Sequence, residues 1–191
     1  MTTGVILAGG CSKRAQTNKL LLLVDSKPLI LHTIDSMKPF VDRLIVVTGR
    51  YHEELKPYLN EVEVVYNKDY ELGMFSSVLA GVSKVDSDLL ILPGDMMNIA
   101  PKTFEAILSN KGEITIPTYK GKSGHPLFLN KTMVNLLKNE DISSNLRAFI
   151  NKHLNKVNYV EVDDSFIEFD VDTIEDYNHL ISRRKELSYE G

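Results

Sequence analysis

Two adjacent glycines and two nearby cations form the first candidate site in the sequence. Gly9 and Gly10 follow a short apolar run, and Arg14 and Lys19 come shortly after them. Adjacent glycines let the backbone approach a ligand closely and present N–H groups to an anion. Arg14 can bind a phosphate through two N–H groups, and Lys19 can add a point charge. The spacing predicts a polyphosphate site; the alternative is a glycine turn followed by two solvated cations.

The spacing of this segment also excludes two common glycine-rich nucleotide loops. Neither the G-x-x-x-x-G-K-[ST] pattern of a Walker A loop nor the G-x-G-x-x-G pattern of dinucleotide-binding domains is present. We therefore expect a nucleotide site of another type.

Acidic side chains follow two later apolar runs. Asp95 comes after the run 89–92, and Asp170 and Asp172 lie at the end of the run 166–171. On a strand, residues two apart share a face, so Asp170 and Asp172 are expected to point the same way. If both runs end at one edge of a sheet, Asp95 and one of these carboxylates can bind Mg²⁺ together with phosphate oxygens and water. The alternative is that the aspartates cap helices.

Two more segments carry polar groups of interest. Asn67 precedes a helical pattern that Ser76 or Ser77 is predicted to cap, and a helix N-terminus can accept a phosphate or a base edge. His125 lies between Gly124 and Pro126 and is a candidate ligand-binding residue or a structural one.

The elements that must position these residues alternate along the chain. Helical patterns begin at Pro28, at Ser76 or Ser77, and at Pro101. This order predicts an α/β fold, a three-layer α/β/α Rossmann-like domain with a mostly parallel mixed sheet, in which residues 1–191 form a single domain. Short apolar runs without polar alternation predict strands buried on both faces at 4–8, 44–47, 62–66 and 89–92.

The second half of the chain is less regular. The runs 114–116 and 126–129 flank a turn and predict either a hairpin-like insertion or a mixed part of the sheet. Further patterns predict helices at 131–138, 144–153 and 173–187 and strands at 157–162 and 166–171.

Composition narrows the functional class. The chain of 191 residues has 22 basic and 26 acidic side chains and a net charge of -4, so we expect no nucleic-acid partner. The single cysteine, Cys11, excludes an intrachain disulfide and favours a reducing, cytoplasmic location. No apolar run is long enough to cross a membrane, and the N-terminus has no charged region typical of a signal peptide.

Taken together, the motifs resemble the molybdenum cofactor cytidylyltransferase branch of the nucleotidyltransferase family, which also includes molybdenum cofactor guanylyltransferases. The resemblance covers nearly the whole chain and rests on five motifs in the same order. They are Leu7-Ala8-Gly9-Gly10-Cys11-Ser12-Lys13-Arg14 with Lys19; Asn67 with Gly73, Met74 and Ser77; Gly94-Asp95-Met96; Gly124-His125-Pro126; and Asp170 with Asp172, Thr173, Glu175, Asp176 and Tyr177.

The resemblance implies a role for each motif. Asp95 and Asp172 would bind Mg²⁺, Arg14, Lys19 and Asp95 would be the catalytic residues, and His125 would lie near the acceptor. Nucleotide binding would involve Leu7, Ala8, Gly9, Gly10, Ser12, Arg14, Lys19, Asn67, Gly73 and Ser77. Gly9 stands where the cytidylyl branch usually has alanine and the guanylyl branch glycine, so the resemblance implies CTP or GTP.

The implied reaction is nucleotidyl transfer to a phosphate-bearing acceptor of the pterin type, with release of pyrophosphate. The product would pass to a molybdoenzyme. Three sequence departures, at Ala15, Gln16 and Met97, also fit a pterin-binding accessory protein that lacks catalysis. A sugar-phosphate nucleotidyltransferase is the other alternative, because it uses a related phosphate loop.

Overall fold

The computed structural model describes residues 1–10, 18–170 and 176–178. The strands are β1 (Thr2–Ala8), β2 (Leu23–Val24), β3 (Lys27–Pro28), β4 (Arg43–Thr48), β5 (Glu63–Tyr66), β6 (Asp88–Pro93), β7 (Ile114–Tyr119), β8 (Lys122–Ser123), β9 (Leu127–Leu129) and β10 (Val157–Glu161). The α-helices are α1 (Leu29–Met37), α2 (His52–Leu55), α3 (Met74–Val82), α4 (Pro101–Ser109), α5 (Lys131–Leu137) and α6 (Leu146–Lys152). Short 3-10 helices include Lys19–Leu21 and Ser165–Glu168.

One mixed sheet of eight strands forms the middle layer. Its order is β10-β7-β9-β6-β1-β4-β5, and β8 pairs with β7. The central strand β1 is parallel to both β4 and β6, and β5 is parallel to β4. The short strand β9 runs antiparallel to both β6 and β7. The segment 114–129 is therefore a mixed part of the sheet, one of the two alternatives that the sequence left open.

Helices cover both faces of the sheet. Alternate residues of a strand point to opposite faces, so Ile6 packs in one apolar cluster and Val5 in the other. The first cluster includes buried residues of α1 and α4, and the second includes buried residues of α3, α5 and α6. This arrangement confirms the predicted three-layer α/β/α fold with a mostly parallel sheet.

Three local predictions were wrong. Strand β5 is half exposed because it lies at the edge of the sheet, whereas burial on both faces was expected. The run 166–171 was predicted as a strand, but Ser165–Glu168 is a 3-10 helix. The expectation that Asp170 and Asp172 share the face of a strand therefore has no structural basis at Asp170.

The third wrong prediction concerns the start of α3. Gly73 precedes its first residue with φ of 103°, a conformation that glycine adopts without strain. Ser76 and Ser77 lie inside the helix and are buried, so neither caps it.

The predicted helix 173–187 lies outside the described residues except for 176–178, which are helical.

Within the described residues, no helix combines the length and the apolar character needed to cross a bilayer.

Candidate functional site

A cavity of about 680 Å³ lies where β1 and β6 end. Parallel strands collect their carboxyl ends at one edge of a sheet, and ligands of open α/β folds bind there. A second wall comes from the segment before β9 and from the 3-10 helix Ser165–Glu168. The predicted site residues that line this cavity are Leu7, Ala8, Gly9, Gly10, Lys19, Ser77, Asp95 and His125.

Gly9 packs tightly against its surroundings, whereas Gly10 does not. A Cβ atom on Gly9 would overlap the hydroxyl of Ser77, and one on Gly49 would lie 2.6 Å from the carbonyl oxygen of Gly9. A Cβ on Gly10 would have no atom of the described residues within 4 Å. The close approach of β1 to α3 therefore requires glycine at position 9.

Asn67 does not line the cavity but holds two serines of α3 through hydrogen bonds. It is 3 % exposed, and its amide donates hydrogen bonds of 2.8 Å to Ser76 and 3.0 Å to Ser77. Its side-chain oxygen accepts from the backbone N–H of Asp69 at 3.0 Å. Neither Asn67 nor Gly73 is among the residues lining the cavity; Asn67 orients Ser77, and Gly73 begins α3.

The loop that carries Asp95 is fastened to two neighbouring elements. The N–H of Gly94 donates to the carbonyl of Leu7 in β1 at 2.9 Å. The buried hydroxyl of Thr33 in α1 lies 2.9 Å from the carbonyl oxygen of Gly94 and 3.2 Å from that of Met96. These bonds hold the backbone on both sides of Asp95.

Lys19 and Asp95 both line the cavity and form an ion pair. The Nζ of Lys19 lies 2.5 Å from Oδ2 of Asp95, and each side chain is 15 % exposed. Lys19 begins a 3-10 helix that Asn18 caps, because the side-chain oxygen of Asn18 accepts from the N–H of Leu20 at 3.3 Å. A cation and a carboxylate thus meet beside the glycine turn.

His125 belongs to the second wall, in the segment before β9. Burial lowers the pKa of its imidazole, and a hydrogen bond to the backbone of Ile91 and the charge of Asp95 offset only part of this effect. Its Nδ1 is buried without a hydrogen-bond partner within the described part of the chain. The backbone N–H of His125 donates to the carbonyl of Ile167 at 2.8 Å, which joins this wall to the 3-10 helix.

Sequence reasoning missed several residues of this wall. Ser123 and Glu168 line the cavity, and Glu168 lies 3.4 Å from the ammonium of Lys122. Asp164 fixes the 3-10 helix, because its carboxylate accepts from the N–H of Phe166 at 3.0 Å and from that of Ala100 at 2.8 Å. An aspartate two residues before a short apolar stretch is a sequence signal for such a turn.

Three predicted site residues, Ser12, Arg14 and Asp172, lie outside the described residues. Asp170 is described and lines the same cavity as Asp95. No cluster of three or more potential metal-binding side chains occurs in the described ranges. Mg²⁺ typically takes one or two protein carboxylates and completes its coordination with phosphate oxygens and water. Asp95 therefore fits a cation that shares its coordination with a bound nucleotide.

Comparison with known proteins finds relatives that match most of the chain. The chain is 29 % identical to the molybdenum cofactor cytidylyltransferase of Escherichia coli K12, over 96 % of this chain and 97 % of that protein. It is 26 % identical to the molybdenum cofactor guanylyltransferase of a Shewanella species, over 85 % and 82 % of the two chains.

A solved structure shares both the fold and the length of the chain. Rv0371c of Mycobacterium tuberculosis superimposes with a TM-score of 0.83 at 27 % identity, covering 95 % of this chain and 97 % of that one. A second structure of Rv0371c, with a TM-score of 0.78 at 25 % identity over 95 % and 98 % of the two chains, is a complex with manganese.

A family-level match covers most of the sequence. Residues 4–157 match the MobA-like NTP transferase domain, a range that contains Gly9, Lys19, Asp95 and His125. The chain belongs to the MobA-like NTP transferase family and is a nucleotidyltransferase.

Proposed function

We propose that this enzyme transfers CMP from CTP, or alternatively GMP from GTP, to the terminal phosphate of a molybdopterin-type acceptor. The observation that carries the proposal is the pair of Lys19 and Asp95 beside the Gly9-Gly10 turn, because it joins a phosphate-binding cation to a metal-binding carboxylate in one cavity. The likeness to the E. coli cytidylyltransferase over nearly its full length supports this substrate class and favours CTP.

The chemistry requires little proton transfer. An oxygen of the acceptor phosphate attacks the α-phosphorus of the nucleotide, the bond from that phosphorus to the bridging oxygen breaks, and pyrophosphate leaves. A phosphate monoester is already an anion near neutral pH, so no strong general base is needed. Positioning and charge neutralisation supply the catalysis.

The residues of the cavity divide this work. The backbone at Gly9 and Gly10 accommodates the phosphates, Lys19 neutralises negative charge on them, and Ser77 contacts the nucleoside side. Arg14 would add a second cation, and Asp95 and Asp172 would hold Mg²⁺. When bound, Mg²⁺ neutralises the charge that develops on the α- and β-phosphates. His125 lies on the acceptor side, where its neutral imidazole adds no charge.

A panel of nucleotides and acceptors tests the proposal. Each NTP is incubated with Mg²⁺ and a molybdopterin-type acceptor or a sugar phosphate, and pyrophosphate release is measured. We expect release with CTP, or with GTP, only when the pterin acceptor is present. Release with a sugar phosphate, or tight binding of the pterin without any release, would contradict the proposal.

Asp95→Asn is the diagnostic variant. We expect it to fold and to lose about 10²–10³-fold in kcat, the usual effect of removing one preorganised electrostatic group. Asp86→Asn is the matched control, since it makes the same charge change at a side chain that is 82 % exposed and outside the cavity lining. Unchanged pyrophosphate release by Asp95→Asn would refute the role of this carboxylate.

A further inference from the structure

The hydrogen bonds around Asn67 determine which way its side-chain amide faces. Its oxygen accepts from the backbone N–H of Asp69 at 3.0 Å, so its nitrogen faces α3. The nitrogen donates to the hydroxyl oxygens of Ser76 at 2.8 Å and of Ser77 at 3.0 Å. The reversed amide would place its NH₂ group against the N–H of Asp69, and two donors would then face each other. The amide of Asn67 is therefore a donor toward both serines.

The two serines differ in how they use their own hydroxyl hydrogens. Ser76 donates to the carbonyl of Gly73 at 2.8 Å, so its hydroxyl is both donor and acceptor within the protein. Ser77 accepts from Asn67, and among the described residues it makes no hydrogen bond as a donor. Ser77 lines the cavity, whereas Ser76 does not. The bond from Asn67 thus occupies one side of the Ser77 oxygen and leaves its hydrogen for the cavity.

Gly9 limits the positions that the hydroxyl of Ser77 can occupy. A Cβ atom on Gly9 would overlap Oγ of Ser77, so this oxygen fills the space beside the glycine turn. Asn67 holds the same oxygen through its amide. Gly9 itself lines the cavity, and a ligand that lies along the turn therefore meets a hydroxyl whose position and polarity are already set.

We propose that Asn67 is a positioning residue that makes Ser77 a hydrogen-bond donor toward the nucleotide, so that the nucleotide presents an acceptor oxygen at this point. The inference rests on the proposed function for the identity of the ligand as a nucleotide. Phosphate oxygens and the carbonyl oxygen of a base can both accept this bond. An amino group or a ring N–H cannot, because two donors would face each other. The polarity of one hydrogen bond therefore limits what can bind beside Gly9.

The first test compares the two serines by titration calorimetry with CTP and Mg²⁺. Ser77→Ala should weaken CTP binding about fivefold or more, because the cavity loses its donor. Ser76→Ala is the matched control, since Ser76 is equally buried and bonded to Asn67 but donates to Gly73. We expect it to bind CTP within about twofold of the wild type. Unchanged affinity of Ser77→Ala, or equal losses in the two variants, would overturn the proposal.

The second test inverts the polarity at position 67. Asn67→Asp keeps the shape of the side chain but supplies only acceptors, so it should draw the hydroxyl hydrogen of Ser77 away from the cavity. We expect CTP binding to weaken about tenfold or more. Kinetically, the loss should appear in KM for CTP and leave kcat within about twofold. A loss in kcat at unchanged KM would contradict a role in holding the nucleotide.

A double-mutant cycle separates the effect on Ser77 from the added charge. In a Ser77→Ala protein, Asn67→Asp should change CTP affinity by about twofold or less, because the residue through which it acts is gone. A full further loss in that protein would show that the negative charge is responsible, and the role of Asn67 would be refuted. The comparison of Ser77→Ala with Ser76→Ala remains decisive even if Asn67→Asp does not fold.

A third titration identifies the acceptor oxygen. Inorganic tripolyphosphate with Mg²⁺ offers a chain of three phosphates without a nucleoside. If Ser77→Ala weakens the binding of CTP alone, the oxygen belongs to the nucleoside; an equal loss for both ligands assigns it to a phosphate. Unchanged affinity for both would overturn the proposal. The titrations use no pterin, so a protein that binds CTP without releasing pyrophosphate would refute the transfer reaction alone.

Discussion

Gly9 is the residue at which the turn after β1 packs against Ser77 of α3. Its missing side chain leaves room for the hydroxyl of Ser77, which also accepts a hydrogen bond from Asn67. A methyl group at this position must push Ser77 out of that bond or separate β1 from α3. Steric fit therefore connects the identity of one glycine to the orientation of a serine on the neighbouring helix.

Gly9→Ala should weaken CTP binding, and Gly10→Ala should change it much less. Overpacking of a tightly filled position typically costs about 1–3 kcal/mol, and part of that cost should appear in the unfolding free energy. Calorimetric titration with Mg²⁺ and CTP, together with urea unfolding, compares the two variants. Equal effects of both substitutions would show that contact with Ser77 is not the cause.

His125 is the second residue with a measurable consequence. Burial lowers the pKa of its imidazole below the ordinary value near 6.5. The unfolded chain therefore binds one more proton than the folded chain at pH values between the lowered pKa and about 6.5. The free energy of unfolding of the wild type should fall as the pH drops through this window and should be insensitive to this group above it.

His125→Gln should remove this contribution. The wild-type advantage over the variant should shrink toward low pH, with a slope of up to about 1.4 kcal/mol per pH unit. Urea unfolding of both proteins from about pH 5 to pH 8 measures the difference. Parallel pH profiles of the two proteins would contradict a buried neutral imidazole.

At the scale of elements, the orientation of the cavity walls depends on a few hydrogen bonds between neighbouring segments. Thr33 is a buried residue of α1 whose hydroxyl reaches the carbonyl groups on both sides of Asp95. Thr33 is fully buried and does not itself line the cavity. It is therefore a positioning residue, which acts through the loop that it holds.

Thr33→Val should destabilise the protein and reduce activity, while Thr33→Ser should largely preserve both. Valine keeps the volume but leaves buried carbonyl groups without their donor, which costs about 1–3 kcal/mol. Serine keeps the hydroxyl. Urea unfolding and the rate of pyrophosphate release measure the two effects, and a valine variant as active as the serine variant would argue against positioning by Thr33.

The central strands were predictable from sequence, but the cavity wall that includes Ser165–Glu168 was not. The apolar runs that became β1, β4 and β6 are continuous, and a turn with glycine closes each of them, so their burial and the position of Asp95 after β6 could be predicted. The run 166–171 misled the prediction because Asp164 bonds to nearby N–H groups and stabilises a turn instead of a strand.

The sequence did not predict that His125 and Asp95 line the same cavity. Asp95 follows β6, whereas His125 precedes β9, and residues at opposite ends of two strands come together only if those strands are antiparallel. Local sequence patterns contain no information on strand direction. The proximity of these two residues therefore depends on sheet topology, which the residue spacing left open.

At the scale of the whole molecule, an apolar core packs against each face of the sheet. Strand β1 contributes Ile6 to one core and Val5 to the other. Removing β1 from the sheet would therefore expose apolar residues of both cores. On this basis we propose that residues 1–191 form a single domain. The cavity lies at the edge of this sheet where β1 and β6 end.

Unfolding should therefore be a single cooperative transition. The chain has eight tyrosines and no tryptophan, so tyrosine fluorescence and far-ultraviolet circular dichroism can follow side chains and backbone separately. We expect the same urea midpoint from both probes, and a common shift to higher urea when Mg²⁺ and CTP are added. Two separated transitions would instead indicate two domains.

The hairpin formed by β7 and β8 is a place where the shape of the cavity can vary. Its tip, Lys120–Gly121, adopts positive φ angles and leads directly into the wall that contains Ser123 and His125. Insertions at an exposed tip are tolerated because they leave the paired strands in register. A longer tip would therefore reshape the wall that contains Ser123 and His125 while leaving the Gly9-Gly10 turn and Asp95 in place.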